Sequence, residues 1–560
     1  MAGGSGVEVG EHLPRLTLPC FLADVAARHR AREAIVSETE RLSYAALEAG
    51  ARRLARALIA AGAGKGTRVA ALCGSRPEWI QLYFATGLVG GVFVPVSTFA
   101  SADERDYVLR HSDAQLLFLQ PRLLQHRYLD ELQARHPELA RGDAAQHACP
   151  ALPQLRRVVA LELDAPRPGV QSLAGFLELE KQVPEALLDA VASEVAESDD
   201  AIVIYTSGTT ARPKAVLHLQ RAALINGLRF RRWMGLEPSD RVWTAQPFFW
   251  TAGITMSLLP SLDAGAALLL QESFDPERAL AMIERERATT LHAWAHQHKA
   301  MGQHPSAATR DLRSVFRLDP SSPLAALAGV VDEGWGLQGS YGLSETFTIF
   351  ATLPSDAPKQ LRVETNGRPL PGNALRIVDP ATGRALPAGE PGEICVKGAT
   401  LMRGYYKQPP ESCFDADGFF RTGDGGSVDA EGVLRWTGRL SNLIKTGGAN
   451  VSPVEIEERL REYAPLRAAI VVGVPHPDLD EVVVLCAVRR ADLAPVSEDE
   501  VRAWLRERIA AYKVPRAVLF FAENELSFTA NQKIQVAPLR ERALAMLKQE
   551  RREIGGHVYA

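Results

Sequence analysis

Ala201-Ile202-Val203-Ile204-Tyr205-Thr206-Ser207-Gly208-Thr209-Thr210-Ala211-Arg212-Pro213-Lys214 is the stretch from which the fold of this chain is read. It opens as a short, β-branched apolar run, the pattern of a buried strand. It continues as a loop of hydroxyls and glycine that ends on a lysine. Such a loop can turn several main-chain N–H groups toward one anion. Gly208 lets the backbone come close, and Lys214 adds positive charge. A polar surface turn has the same composition, so the loop alone leaves both readings open. Its spacing does not fit the G-x-x-x-x-G-K-[ST] phosphate loop.

Working outward, the chain has 560 residues. One hydrophobic core rarely serves that length, so two or more structural units are expected. Hydrophobic residues make up 46% and charged residues 23%, an ordinary globular balance, and the net charge is −4. Nothing here offers the basic face that nucleic acid needs; Arg229, Arg231 and Arg232 read as a solvated helix face. Cys20, Cys73, Cys149, Cys395, Cys413 and Cys486 form no C-x-x-C pair. That usage fits a reducing cytosol, and residues 1–11 carry no apolar signal segment, so a cytoplasmic location is expected. Residues 83–96 are the most apolar stretch but are broken by Gly87, Gly90 and Gly91. A spanning helix needs about 20 apolar residues; a buried helix-turn-strand is expected instead, with no membrane span.

Helical and strand patterns alternate along the chain, which predicts an α/β fold. A helix starts at Ser43 and runs past Leu54 and Leu58, and residues 92–96 read as a buried strand. Residues 121–168 are rich in Arg, His and Gln, and read as an insertion or surface helices. Further on, Ser452-Pro453-Val454-Glu455 reads as a capping box with proline at the first helical position. Strands over 469–474, 482–488 and 517–521, with a helix capped at Ser497, complete a compact α+β unit. A glycine-rich stretch, 437–448, precedes it. The expected division is a large, multi-subdomain N-terminal α/β domain over 1–440 and a small mobile C-terminal domain over 441–560.

The loop at 205–214 does not stand alone. Downstream come Gln338-Gly339-Ser340-Tyr341-Gly342-Leu343-Ser344-Glu345-Thr346, Gly389-Glu390-Pro391-Gly392-Glu393-Ile394, Arg403-Gly404-Tyr405-Tyr406, Arg421-Thr422-Gly423-Asp424, Gly438-Arg439-Leu440-Ser441-Asn442-Leu443-Ile444-Lys445-Thr446-Gly447-Gly448 and Gln532-Lys533-Ile534. In this order the set resembles the signature motifs of the ANL superfamily: acyl-CoA synthetases, adenylation domains of peptide synthetases, and luciferases. The resemblance covers most of the chain, from about residue 42 to 540.

What the resemblance implies is an acid–CoA ligase. ATP with Mg2+ would convert a carboxylic acid to an acyl-adenylate, and coenzyme A would then take the acyl group with release of AMP. Thr206, Ser207, Gly208, Thr209, Thr210 and Lys214 would hold the β- and γ-phosphates. Glu345, with Thr206, would hold magnesium, a hard cation suited to oxygen ligands. Thr346 would touch the α-phosphate and Tyr341 would stack on adenine, with Ser321, Ser340, Gly342 and Ser344 around the nucleotide. Asp424 would accept from both ribose hydroxyls, and Arg439 would assist. Lys533 would offset charge in the first half-reaction. The C-terminal domain would then rotate about a hinge at Ser441, bringing Lys445, Gly447 and Gly448 to the thioester step. Taken singly, Asp424 is an ordinary turn aspartate, Glu345 a helix cap and Lys533 a solvated lysine.

The sequence departs from the family pattern at Ala211 and Ala215, at Ser441 and Asn442, at Asn531-Gln532, at Pro320-Ser321-Ser322-Pro323 and at Phe249-Trp250. None of these removes Lys214, Glu345, Asp424 or Lys533. Peptide-synthetase domains usually carry an acid after the phenylalanine to pair a substrate ammonium. Trp250 stands there instead, and an unpaired buried ammonium is costly, so amino acids are disfavoured. The acid pocket is expected around Phe248, Phe249, Trp250, Thr251, Gly253, His292, His296 and Gly339. Its aromatics suit a ring-bearing acid as readily as a fatty chain. His292 and His296 stand at i, i+4, which can bind zinc, but no H-E-x-x-H is present. No carrier-protein segment follows residue 540, which favours coenzyme A. A separate acyl carrier protein as acceptor, a homodimer, and a nucleotide-binding module without turnover stay open.

Overall fold

The computed structural model describes residues 12–141, 143–206, 213–331, 339–354, 357–440, 443–446, 449–509, 511–528 and 534–560. They divide into two compact units, Met1–Ala374 with Lys397–Phe419, and Leu375–Val396 with Phe420–Ala560. The α/β class expected from the sequence is what the structure has: a large unit first and a smaller one later in the chain.

The first unit is built on an eight-stranded sheet. In spatial order its strands are Gly404–Tyr405, Lys214–Leu219, Asp200–Thr206, Val92–Pro95, Arg68–Leu72, Leu116–Leu119, Arg157–Ala160 and Gln171–Ser172. From Asp200–Thr206 to the far edge the ladders are parallel. Such strands are covered on both faces and so read as continuous apolar runs; every residue of Val92–Pro95 is buried. Helices Tyr44–Ala60 and Pro77–Leu88 supply part of the cover. Ser43 caps the first by accepting from the Ala46 N–H, as its sequence indicates. Within the core, Trp79 meets Phe93 edge-on at 4.9 Å and lies 5.2 Å from Phe248. A second sheet, Thr290–His292, Arg241–Thr244, Ala267–Leu270, Glu33–Val36 and Arg41–Ser43, is parallel except at its last edge.

Two sequence readings change here. Residues 121–168 are not only surface helices, because Arg157–Ala160 is a strand of the main sheet. Its four-residue run is too short for periodicity to reveal within so polar a surround. Arg229 is not a solvated helix residue. It is largely covered and donates to the Pro371 carbonyl and to Asn226, and burial lowers its pKa to about 10.

The second unit holds most of a four-stranded sheet, Asn373–Val378, Gly392–Gly398, Phe420–Val428 and Leu434–Arg439. It also holds a mixed sheet in which Leu466–His476 and Asp480–Arg489 pair antiparallel and Ala517–Phe520 adds in parallel. Helix Pro453–Leu460 is capped by Ser452, and helix Glu498–Arg506 carries a full capping box at Ser497. Residue 440 falls inside this unit. The Ser452 hydroxyl donates back to the Thr437 carbonyl, tying the strand before that position to the helix after it.

Trp79→Ala removes a side chain that is 2% exposed and central to the first core. It should lower stability by about 3–5 kcal/mol, read as an earlier first transition in urea with the second unit's transition unmoved.

Candidate active site

The quoted loop closes a hairpin. Asp200–Thr206 pairs antiparallel with Lys214–Leu219, and the register sets Thr206 directly opposite Lys214. Ser207, Gly208, Thr209 and Thr210 lie outside the described residues. The hairpin is anchored from its flank: Tyr205 Oη is 3.0 Å from His111 Nδ1, and the Tyr107 hydroxyl donates to the Pro213 carbonyl at 3.4 Å.

The short strand Gly404–Tyr405 adds to the outer edge of this hairpin. The Lys214 ammonium sits 4.8 Å from the centre of the Tyr405 ring, a cation–π distance. The Tyr405 hydroxyl in turn donates to Glu345 Oε1 at 2.7 Å. One aromatic side chain therefore supports both the cation and the carboxylate named from the sequence. Tyr405 was quoted there only as part of a motif, with no role; its role is visible only once the edge strand is in place.

Glu345 lies in a single turn of 3-10 helix, Ser344–Thr346, between strands Tyr341–Leu343 and Thr348–Thr352. The turn is held by its carbonyls. His218 Nε2 donates to the Ser344 carbonyl at 2.7 Å, and the Met402 N–H donates to that of Glu345 at 2.7 Å. His218 is wholly buried and its ring meets Phe347 edge-on at 4.8 Å. Burial pushes its pKa down to about 4. The Thr346 hydroxyl is also fully buried, accepting from Leu343 N–H at 2.9 Å and reaching the Thr348 carbonyl at 3.1 Å. As placed, this hydroxyl braces the turn. Gly342 passes so close to the next strand that a Cβ would meet the Thr348 carbonyl oxygen at 1.6 Å. Gly339 has φ +75, and a Cβ there would strike the Arg362 and Thr365 carbonyls. The Ser340 carbonyl accepts from Asn366 at 3.2 Å. Tyr341 is buried at 6% exposure. Ser321 is exposed and folds back on Asp319 in a local turn.

In the second unit Asp424 and Arg439 face each other across adjacent strands, with Arg439 Nε 3.0 Å from Asp424 Oδ1. Asp424 is 2% exposed. The preceding bend, with Gly423 at φ +71, is fixed from behind by Glu393, which accepts from the Gly423 N–H and from Arg421. Lys445 is an exposed residue of strand Ile444–Thr446. Ser441, Gly447, Gly448 and Lys533 lie outside the described residues.

Around the expected acid pocket, Phe249 and Trp250 are joined by two residues the sequence did not single out. Phe99 meets Phe249 at 5.3 Å and Trp250 at 5.9 Å, and Trp294 meets Trp250 at 6.2 Å, all edge-on. Thr251 is buried, and Gly253 opens a π-helical segment, Gly253–Leu258, where a Cβ would meet the Pro247 carbonyl oxygen at 2.5 Å. Such π-turns recur at functional sites. Phe248 points the other way, into the core against Trp79. His292 and His296 do not share a helix. His292 ends strand Thr290–His292, while the helix begins only at Ala295 and leaves His296 exposed. His292 is buried beside Ser257 at 3.1 Å, within a polar network with Thr244 and Gln246. Burial holds His292 down to about 3 and His298, which bonds Ser322, down to about 4.

The donor set suits magnesium in kind. The Glu345 carboxylate and the Thr206 hydroxyl offer hard oxygens, and Tyr405 occupies one carboxylate oxygen while orienting the other. Among the described residues no cluster of three or more His, Cys, Asp or Glu side chains is placed to hold a metal.

The "AMP-binding enzyme" family model matches residues 22–406, and the "AMP-binding enzyme C-terminal domain" model matches 455–533. A putative acyl-CoA synthetase of Bacillus subtilis is 31% identical, over 95% of this chain and 97% of its own. A feruloyl-CoA synthase of Amycolatopsis is 31% identical, over 90% of this chain and 94% of its own. The ATP-bound crystal structure of MatB from Rhodopseudomonas palustris superposes with a TM-score of 0.77 at 28% identity, covering 94% of this chain and 99% of that one.

Two outcomes are expected. Tyr405→Phe keeps the ring under Lys214 but loses the bond to Glu345, and should raise the magnesium concentration for half-maximal turnover by about 10–100-fold, the worth of one hydrogen bond to a charged group. Separately, His218, His292 and His298 are held neutral in the fold while an unfolded histidine titrates near 6.5. The unfolded chain binds more protons below that pH. Stability should be full above about pH 6.5 and fall steadily from there toward pH 4, measured by urea midpoints across that range.

Proposed function

The chain belongs to the AMP-binding enzyme family, and from that premise we propose how its residues divide the work of an acid–thiol ligase. The enzyme uses ATP, Mg2+ and coenzyme A: a carboxylic acid is activated to an acyl-adenylate and then transferred to the thiol, releasing AMP. Little covalent chemistry is asked of the protein in either half, so its contribution is placement and charge.

We assign the phosphate end of ATP to Thr206, Ser207, Gly208, Thr209, Thr210 and Lys214. Glu345, with Thr206, would hold magnesium, which supplies charge neutralisation at the departing pyrophosphate. The observation that carries this allocation is the support of Lys214 and Glu345 on one residue, Tyr405. Tyr341, Ser340, Gly342 and Ser344 are proposed for the adenine side. Asp424 with Arg439, paired across adjacent strands, is proposed for the ribose. Residues after about 440 are proposed to act in two turns about Ser441. Lys533 serves adenylation; Lys445, Gly447 and Gly448 serve thioester formation.

For the acid we propose a ring-bearing carboxylate. The aromatic cluster of Phe99, Phe249, Trp250 and Trp294 suits an aromatic guest, and a relative of 31% identity is named for a feruloyl group. Buried Nε2 of His292 and Nε1 of Trp294 have no hydrogen-bond partner among the described residues, which suits a polar substituent on the ring. Coenzyme A is the acceptor. The low density of cysteines supports a cytoplasmic enzyme; no described helix is long and apolar enough to cross a membrane.

Lys533→Ala should reduce acid-dependent exchange of pyrophosphate into ATP by about 100-fold or more. Thioester formation from supplied acyl-adenylate and coenzyme A should stay near wild type. Unchanged exchange would remove Lys533 from the first half-reaction. In a panel of acids, aryl acids should release AMP fastest with coenzyme A; a saturated fatty acid outrunning them would overturn the choice of acid.

A further inference from the structure

Behind Glu345 lies a buried polar assembly that the allocation above does not use. Asn226, on helix Gln220–Met234, is 2% exposed. Its Nδ2 donates toward three carbonyls of one segment: Thr346 at 3.0 Å, Phe347 at 2.7 Å and Ile349 at 3.1 Å. Its Oδ1 accepts from Arg229 Nη1 at 3.3 Å. Arg229 is itself tied to the Pro371 carbonyl. The amide has one sensible orientation. Turned over, its oxygen would face three carbonyl oxygens and its NH2 a guanidinium.

The segment it grips is strained. Phe347 has φ 51 and Thr348 φ 84. These are left-handed values that non-glycine residues rarely adopt, the second on a β-branched side chain. Such a conformation is costly and persists only when surroundings enforce it. Released, the pair would relax to negative φ and swing the adjoining turn that carries Glu345. Thr255, from the π-helical segment beside the acid pocket, closes the other side through Thr348 Oγ1 at 3.2 Å.

We infer that Asn226, oriented by Arg229, is a positioning residue: it holds Phe347–Thr348 left-handed and so fixes the Glu345 carboxylate for ATP-bound magnesium. The inference rests on Glu345 being that carboxylate.

The test measures, on the full chain, the Kd of ATP in magnesium by calorimetry and the magnesium midpoint of pyrophosphate exchange, with circular dichroism as a check of folding. Glu345→Gln is run first; if neither quantity moves, the assignment of Glu345 fails, and the inference with it. Given a shift there, Asn226→Ala should weaken ATP·Mg binding and raise the midpoint by about 10-fold, leaving the KM for the acid within about 2-fold. Thr348→Gly removes the cost of positive φ, so Asn226→Ala/Thr348→Gly should recover much of that loss; a role confined to stability would give no recovery. A folded Asn226→Ala with unchanged ATP·Mg binding overturns the inference. Should that variant not fold, Arg229→Gln decides, with a smaller shift in the same direction expected and no shift overturning it.

Discussion

The antiparallel pairing of Asp200–Thr206 with Lys214–Leu219 is the constraint on which the site depends. It joins a hairpin to a sheet that is otherwise parallel at that point. The same pairing has three consequences. It sets Lys214 opposite Thr206. It turns His218 inward to hold the turn of Glu345. It offers an outer edge on which Gly404–Tyr405 docks. A slip of one residue would exchange the buried and exposed faces of Lys214–Leu219, and all three would be lost together.

Around that hairpin the first unit places charge sparingly. The residues nearest the carboxylate turn are neutral and buried: His218, the Thr346 hydroxyl and the Asn226 amide. Each meets a backbone group, and the Asn226 amide also accepts from Arg229. The acid-pocket side follows the same rule, with His292 bonded to Ser257 and kept unprotonated by burial. The two sides meet at Thr255 and Thr348.

Much of this was legible in the sequence, and the exceptions share a cause. Strand and helix patterns marked Asp200–Thr206, helix Tyr44–Ala60 and the C-terminal α+β unit, because local periodicity and capping decide those. The family and its cofactors followed from ordered motifs. His292 and His296 were read at helical spacing when a strand end and a helix start separate them. Arg229 was read as solvated when it orients a buried amide. Phe248 and Phe249 are neighbours in sequence yet face opposite ways. In these cases a deciding contact comes from a distant segment: Ser257 for His292, Trp79 for Phe248 and the Pro371 carbonyl for Arg229. The strand Arg157–Ala160 went unseen for the same reason.

By itself, then, the sequence determined the α/β class, the presence of a separate C-terminal α+β part, and the chemistry of acid activation with ATP, magnesium and coenzyme A, because periodicity, caps and motif order are properties of local sequence. The tertiary structure alone decided which groups support one another: Tyr405 under Lys214 and beside Glu345, His218 and Asn226 behind the carboxylate, Phe99 and Trp294 beside Trp250. Those partners are separated by tens to hundreds of residues, and side-chain contacts at such separation are fixed by sheet order and register, which no local pattern encodes.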